Sequence, residues 1–351
     1  MDKLPQILRR WHIPPPPIRF LRVPVILCLL LIALGLAGLH GWWLFVPTPA
    51  VHSSAKVVEI PPHQGTVSIA RQLASEGVIR TRLGFLLLAA VRGTARSLKA
   101  GEYEIPKDAN TVQILKFLEE GKVLQHPVLF PEGGTVRDLA RTLEATGLAR
   151  TDEVLRISED QRFLRSLGVE APSLEGYLFP DTYYFFKGLS VEEMLARMVH
   201  RFRTQVTDDL RRQAQSRGLT PHQLLTLASI LEKEAVIPEE LPLISAVFWN
   251  RLKLEMPLQA DPTVQYALGK DRQALTREDL QVDSPFNTYR IRGLPPGPIA
   301  SPGKAAILAA LNPAKVKYLY FVSKGDQHHF FSATLEEHNS AVTRYRVARA
   351  R

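Results

Sequence analysis

Two glutamates separated by a single lysine, Glu232 and Glu234, stand near the end of a stretch with helical periodicity. Thr220 suits a helix N-cap and Pro221 the first helical position, so a helix is expected over about 222–235. At about 100° per residue, Leu224, Leu227, Ala228, Leu231 and Ala235 share one face, and each glutamate falls at an edge of that apolar stripe. Partial burial and the unfavourable field of the helix C-terminus would raise the pKa of such a carboxyl, which is what a general acid at neutral pH requires. Periodicity does not choose between the two. The simpler reading is a pair of solvated acids flanking Lys233.

The neighbouring segments are rich in hydrogen-bonding side chains and stiffened by proline. Asn250-Arg251-Leu252 closes a helix expected over 242–252 and leads into MPLQADPTV at 256–264. SPFNTY follows at 284–289 and GLPPGPI at 293–299. Rigid polar loops suit sugars, which present hydroxyl groups and apolar ring faces together; the same prolines and glycines also serve simply to shape loops. Upstream, LEGYLFPDTY at 174–183 mixes Glu175, Asp181 and Tyr183 with further rings, as a cleft wall or as core.

These segments need a scaffold, and the 351-residue chain is long enough for two or three units. Residues 23–46 contain no Asp, Glu, Lys or Arg. At about 1.5 Å per residue they can cross a hydrocarbon core of about 30 Å. Lys3, Arg9, Arg10, Arg19 and Arg22 precede them, and Trp42 and Trp43 lie at their far end. This pattern predicts an uncleaved transmembrane helix with 1–22 in the cytoplasm, the competing reading being a cleaved signal peptide. Pro14 to Pro17 read as a stiff linker, and 47–56 as a tether.

Beyond the tether, GTV at 65–67 recurs at 134–136. With one inserted residue, Ile69, Ala70, Arg71, Leu73, Gly77, Arg80 and Thr81 recur as Leu139, Ala140, Arg141, Leu143, Gly147, Arg150 and Thr151. Each copy reads as a Thr ahead of an amphipathic helix that stops near a Gly. The first copy continues through a helix at 83–91, a strand at 101–105 and a helix from 111. A strand, a helical pair and a return strand resemble the small glycan-binding LysM module. The expected fold class is therefore α+β. An N-terminal transmembrane helix leads to a LysM-like module at 57–125 and a mixed α+β catalytic region at 126–351. That region divides into 126–218 and 219–345, the latter carrying the glutamates.

Composition removes other classes. Of the net charge of +9, the first 22 residues carry +4 and the remaining +5 is spread over the rest of the chain; no basic recognition helix or aromatic RNA-binding motif is present, so nucleic acid is not an expected partner. Cys28 is the only cysteine, which rules out an internal disulfide. His328, His329 and His338 lack metal-ligand spacing, and no phosphate loop, dinucleotide fingerprint or nucleophile elbow occurs. No metal and no cofactor are expected.

Taken in order, EGYLFPDTY (175–183), ASILEKE (228–234), NRL (250–252), MPLQADPTV (256–264), NTY (287–289), GLPPGPI (293–299) and YLYFV (318–322) resemble the endolytic murein transglycosylase, or YceG-like, family over nearly the whole chain. The resemblance implies a membrane-bound enzyme whose active region lies outside the cytoplasm. It would cut peptidoglycan strands between N-acetylmuramic acid and N-acetylglucosamine without water, leave 1,6-anhydro ends, and end the elongation of new strands beside peptidoglycan synthases. The family's catalytic glutamate corresponds to Glu232. Glu175, Asp181, Tyr183, Asn250, Gln259, Asp261, Asn287 and Tyr289 are the candidates for holding substrate. Phe286 stands where relatives carry tyrosine, which removes a hydroxyl, and Glu255 stands where glycine is usual. Two readings compete: a muramidase in which Glu175, Asp181 or Asp261 assists water, and a glycan-binding scaffold without activity.

Overall fold

The computed structural model describes residues 19–46, 55–270 and 273–349. The polyproline run, the rest of 1–18 and positions 47–54 of the expected tether lie outside the described residues. The fold is mixed α+β, and the chain divides into two compact units, 1–124 and 125–351.

The first unit opens with α1 (Arg19–Phe45), within which Val25–Phe45 is long and apolar enough to cross a membrane, at a mean hydropathy of 2.3. Within that span Leu27, Leu29, Leu30, Leu31, Leu34, Leu36 and Leu39 are exposed. Then follow β1 (Lys56–Ile60), α2 (Thr66–Ser75), α3 (Arg82–Val91), β2 (Gly101–Ile105) and α4 (Thr111–Glu120). β1 and β2 pair antiparallel, Lys56 opposite Ile105 and Ile60 opposite Gly101. Alternation along β1 turns Val58 and Ile60 inward, onto Ile69, Leu73, Phe85, Ile114 and Leu115 of the three helices. Asn110 caps α4 through a reciprocal bond with Gln113, and Gly121 ends it at φ 72°.

The second unit begins in the same way. β3 (His126–Phe130), α5 (Val136–Ala145), α6 (Thr151–Ser158), a short α7 (Gln161–Ser166), β4 (Asp181–Phe185) and α8 (Val191–Gln205) repeat the order strand, helices, strand, helix. β3 pairs antiparallel with β4, His126 opposite Phe185. The repetition seen in the sequence is therefore architectural, but its register needs one correction. Each copy has a five-residue connection from strand to helix, so no residue is inserted and the GTV strings are offset by one. Thr135 caps α5 through Asp138, whereas Thr66 lies inside α2, whose cap is Gly65 without a side-chain bond. The true equivalents at the corner are His63 and Gly133, both left-handed at φ 62° and 72°.

The remainder is α9 (Asp208–Ser216), α10 (Pro221–Glu234), α11 (Leu241–Lys253), α12 (Asp261–Leu268), α13 (Lys304–Leu311), the hairpin β5 (Tyr320–Ser323) and β6 (His329–Ser332), and α14 (Leu335–Arg349). Helix α10 starts with the expected Thr220 cap and Pro221, reinforced by Gln223. It is not amphipathic, however: every residue from Leu224 to Leu231 is buried, Thr226 and Ser229 included. A helix enclosed all round has no stripe, so the one-sided reading of this segment fails. Its buried hydroxyls are satisfied, Thr226 donating to the His222 carbonyl at 2.8 Å and Ser229 accepting from Ile299 N–H at 3.0 Å. The hairpin is fastened to the start of α11, where the Glu240 carboxylate accepts from His329 N–H at 2.9 Å and meets His329 Nδ1 at 2.6 Å.

Glu255 is exposed and holds φ 54°, the left-handed backbone a glycine adopts freely. Glu255→Gly should therefore raise the unfolding free energy by about 1 kcal/mol, seen as a higher melting temperature by calorimetry. A lower one would show that the glutamate side chain contributes more than the backbone loses.

Candidate active site

Glu232 and Glu234 lie on the last turn of α10, which ends when Ala235 leaves the helical region at ψ 130°. Both line a cleft of about 530 Å3 with Glu132, Gly133, Lys233, Asp261 and Gln265. Three loops and helix ends close around it: the β3–α5 corner, the start of α12 and the start of α13.

Glu232 is half-buried, and its Oε2 accepts from Gly303 N–H at 2.9 Å. Gly303 caps α13, so the carboxyl sits at a helix N-terminus, where a negative charge is favoured. Burial outweighs this and holds its pKa above the usual carboxylate value; Glu132 pushes the same way, while Gly303 N–H and Lys233 oppose. Glu132 lies against the same glycine, since a Cβ on Gly303 would collide with its carboxylate. Gly133, left-handed at φ 72°, lies against Glu232 and Lys233: a Cβ there would stand 3.6 Å from Glu232 Cγ. The PEGGT corner thus supplies a second carboxylate and a close backbone approach.

Glu234 is raised to about 8 by burial first and by Asp261 second, with Arg251 pulling down. Arg251 is itself buried and gives its guanidinium to the carbonyls of Leu319 at 2.7 Å and Leu258 at 2.8 Å, over the ring of Tyr320. Asp261 accepts from Tyr289 Oη at 2.5 Å. Gln259 is exposed at φ 50°, with its Oε1 3.3 Å from the Arg251 guanidinium.

A second cleft of about 330 Å3 adjoins the first and shares Lys233, Pro262 and Gln265 with it. Glu175 lines it, buried to 7% exposure, with its carboxyl accepting from Val136 N–H at 3.2 Å and from the Tyr266 hydroxyl. Burial drives this carboxyl up to about 8 despite those bonds.

The structure therefore brings Glu232 and Asp261 to one cleft, attaches Tyr289 to Asp261, and sets Glu175 in the adjoining one. The other five candidates, Asp181, Tyr183, Asn250, Gln259 and Asn287, line neither. Asp181 pairs with Arg201 Nε at 2.8 Å on the surface, and Tyr183 donates to the Phe179 carbonyl at 2.6 Å. Asn250 donates to the Val316 and Tyr318 carbonyls, both at 2.9 Å. Asn287 is fully buried and donates to Leu280 and Val282. Gln259 apart, their polar groups are committed to the framework. Sequence reasoning missed Glu132; its only signal was an acid directly before a glycine pair at the foot of an expected helix. It also missed His222, whose Nε2 can only donate to the Pro296 carbonyl at 2.8 Å, leaving Nδ1 to take the Tyr177 hydroxyl at 2.8 Å.

The two carboxyls raised to about 8 set a pH dependence. Between the unfolded carboxylate value and about 8, the native chain keeps protons that the unfolded chain has lost, so stability is complete at acid pH and falls as pH rises through 8. Glu175→Gln removes one such group and should lessen the fall in melting temperature between pH 5 and pH 8.5 (about one group's share). An unchanged fall would show that Glu175 is already ionised in the folded protein.

Residues 58–344 match the YceG-like family. The chain is 33% identical over 328 residues to a Bacillus subtilis (strain 168) protein named endolytic murein transglycosylase, covering 89% of this chain and 91% of that one. It is 30% identical to a protein of the same name from Streptococcus pneumoniae serotype 2 (strain D39 / NCTC 7466), covering 92% of this chain but 65% of that longer protein. The crystal structure of a YceG-like protein from Listeria monocytogenes superposes with a TM-score of 0.58 at 36% identity, over 82% of this chain and 99% of that one. By the length of the family match and by these identities, the chain belongs to the YceG-like family.

Proposed function

We propose that this chain is a peptidoglycan lytic transglycosylase with Glu232 as its acid and base. The reading rests on one observation: a half-buried carboxyl with a raised pKa on the wall of a cleft, held by Gly303 N–H and faced by Glu132. The names of the relatives from Bacillus and Streptococcus supply the substrate class. Protonated Glu232 gives its proton to the oxygen bridging N-acetylmuramic acid and N-acetylglucosamine, and the C1–O bond breaks. The resulting carboxylate takes the proton of the muramyl C6 hydroxyl as that oxygen closes on C1. The products are a free N-acetylglucosamine 4-hydroxyl and a 1,6-anhydro end, and Glu232 is again protonated. The internal hydroxyl is already in place, an entropic advantage over a free nucleophile. Asp261 lines the cleft, Tyr289 is bonded to it and Gln259 precedes it by two residues in the chain; these are the side chains proposed to orient the sugar.

In this reading α1 is an uncleaved anchor, with the N-terminus cytoplasmic and the second unit outside, next to newly made strands and their synthases. The first unit serves as the LysM-like glycan module, a role supported by its βααβ order. The catalytic region is 126–351. The abundance of carboxylates around Glu232 favours one alternative, a muramidase in which Glu132 or Asp261 directs water, since two carboxylates flanking the bond suffice for hydrolysis.

Mass spectrometry of digested strands separates the two, because anhydro ends are one water lighter than hydrolysed ends. Glu232→Gln should lower cleavage by about 10²–10⁴-fold with an unchanged melting profile. If Glu234→Gln abolishes cleavage and Glu232→Gln does not, the acid is misassigned. The active form carries the proton, so the rate falls as pH rises through the Glu232 pKa. Glu132→Gln removes the like charge beside it and should move that alkaline limb to lower pH, leaving the burial, Lys233 and Gly303 contributions in place. A limb that stays put would separate Glu132 from the proton step.

A further inference from the structure

The cleft beside the one that holds Glu232 has a chemistry that a bare glycan does not use. On one side Tyr266 and Phe286 lie ring to ring, with centroids 5.0 Å apart, a firm apolar wall. Arg137 and Arg141 of α5 line the same cleft from the i and i+4 positions of one helix face, together with Asp138 and Glu159, and Arg141 Nη1 lies 3.7 Å from Asp138 Oδ1. Arg137 reaches across to the end of α12: a Cβ on Gly269 would stand 3.0 Å from its Nη1. The floor is the buried Glu175 carboxyl. Cations interleaved with acids, an apolar wall and a buried carboxyl together suit a peptide, with its carboxylates, small aliphatic side chains and amides. A neutral polysaccharide has only some of these.

The position of the cleft says where such a ligand would come from. Lys233, which follows Glu232 in the chain, lines both clefts, as do Pro262 and Gln265. A branch leaving the sugar beside Glu232 therefore meets the second cleft directly. Muramyl residues carry such a branch, a short acidic peptide on the lactyl group. A volume of about 330 Å3 is at the lower end for a small-molecule site, room for the first residues of a peptide and not for a second strand.

We propose that this adjoining cleft seats the acidic peptide stem of the muramyl residue whose glycosidic bond is cut, so that the enzyme prefers peptide-bearing strands to stripped ones. The proposal rests on the transglycosylase reading above. Arg137 takes a peptide carboxylate while Arg141 stays paired with Asp138, the Tyr266–Phe286 wall takes the aliphatic side chains, and Glu175 faces the amides. Strands stripped of peptide keep only a lactyl carboxylate, which the cations attract but which leaves the apolar wall unused.

The test uses the full chain in detergent with two substrates: intact uncrosslinked strands, and the same strands freed of peptide by an amidase. Wild type should show a kcat/KM about tenfold higher on intact strands, the effect of one charge-assisted hydrogen bond or more. Arg137 is exposed, so Arg137→Ala and Arg137→Glu should fold, which melting curves check. Both should bring the ratio between the substrates toward one, the charge reversal further. Equal wild-type rates on the two substrates, or variants that lower both rates by the same factor, would overturn the proposal. If wild type cuts neither substrate, the transglycosylase reading itself fails and this inference falls with it.

Discussion

Helix α10 is enclosed on all sides for two turns, and the site is built from what happens where that enclosure ends. Leu224 to Leu231 meet α9, α11, α12 and α13, so the helix axis is fixed by packing in every direction. Its last turn emerges at the clefts, and the direction of the Glu232 side chain follows from the fixed axis. A half-buried carboxyl is unfavourable when ionised, and only a rigid surround keeps it from turning out to water. The raised pKa is thus a property of the enclosure, not of the glutamate.

Two backbone donors extend that control to the loops. Ile299 N–H bonds Ser229 in the middle of α10, and Gly303 N–H bonds Glu232 at its end, so the proline-rich segment is fastened to the helix at both places. His222 adds a third fastening at the start of α10, holding Tyr177 and the Pro296 carbonyl together. Proline limits the freedom of the loop before folding and these bonds remove what remains. Arg251 performs the same service from α11, joining the 257–259 loop to the strand end at Leu319.

Duplication gives the second unit its other wall. The βααβα order of the first unit recurs, with a left-handed corner between the strand and the first helix in both copies. In the first copy the corner residue is His63; in the second it is Gly133, which lets the backbone pass close to Glu232 and Lys233 and places Glu132 beside Gly303. One copy has kept the corner as structure, and the other carries it into a cleft.

Much of this was legible in the residues. The cap at Thr220, the strand at 101–105, the helix over 242–252 and the apolar N-terminal helix follow from local pattern, because caps, alternation and hydropathy act over a few residues. The long strings from 175 to 322 carry the family resemblance. What local pattern could not supply was anything set by residues far apart in the chain. Complete burial of α10 erased the stripe that periodicity looks for. Asn250 and Asn287 bond carbonyls that lie elsewhere in the chain or across a loop, so their type alone did not distinguish framework from contact. Glu132 gained its place near Glu232 only when the chain folded, with α13 bringing Gly303 against both. The sequence by itself determined which carboxyls were available and which helix bore them. Tertiary packing decided which were shielded from water and what faced them, because desolvation and charge proximity depend on neighbours in space and not on neighbours in the chain.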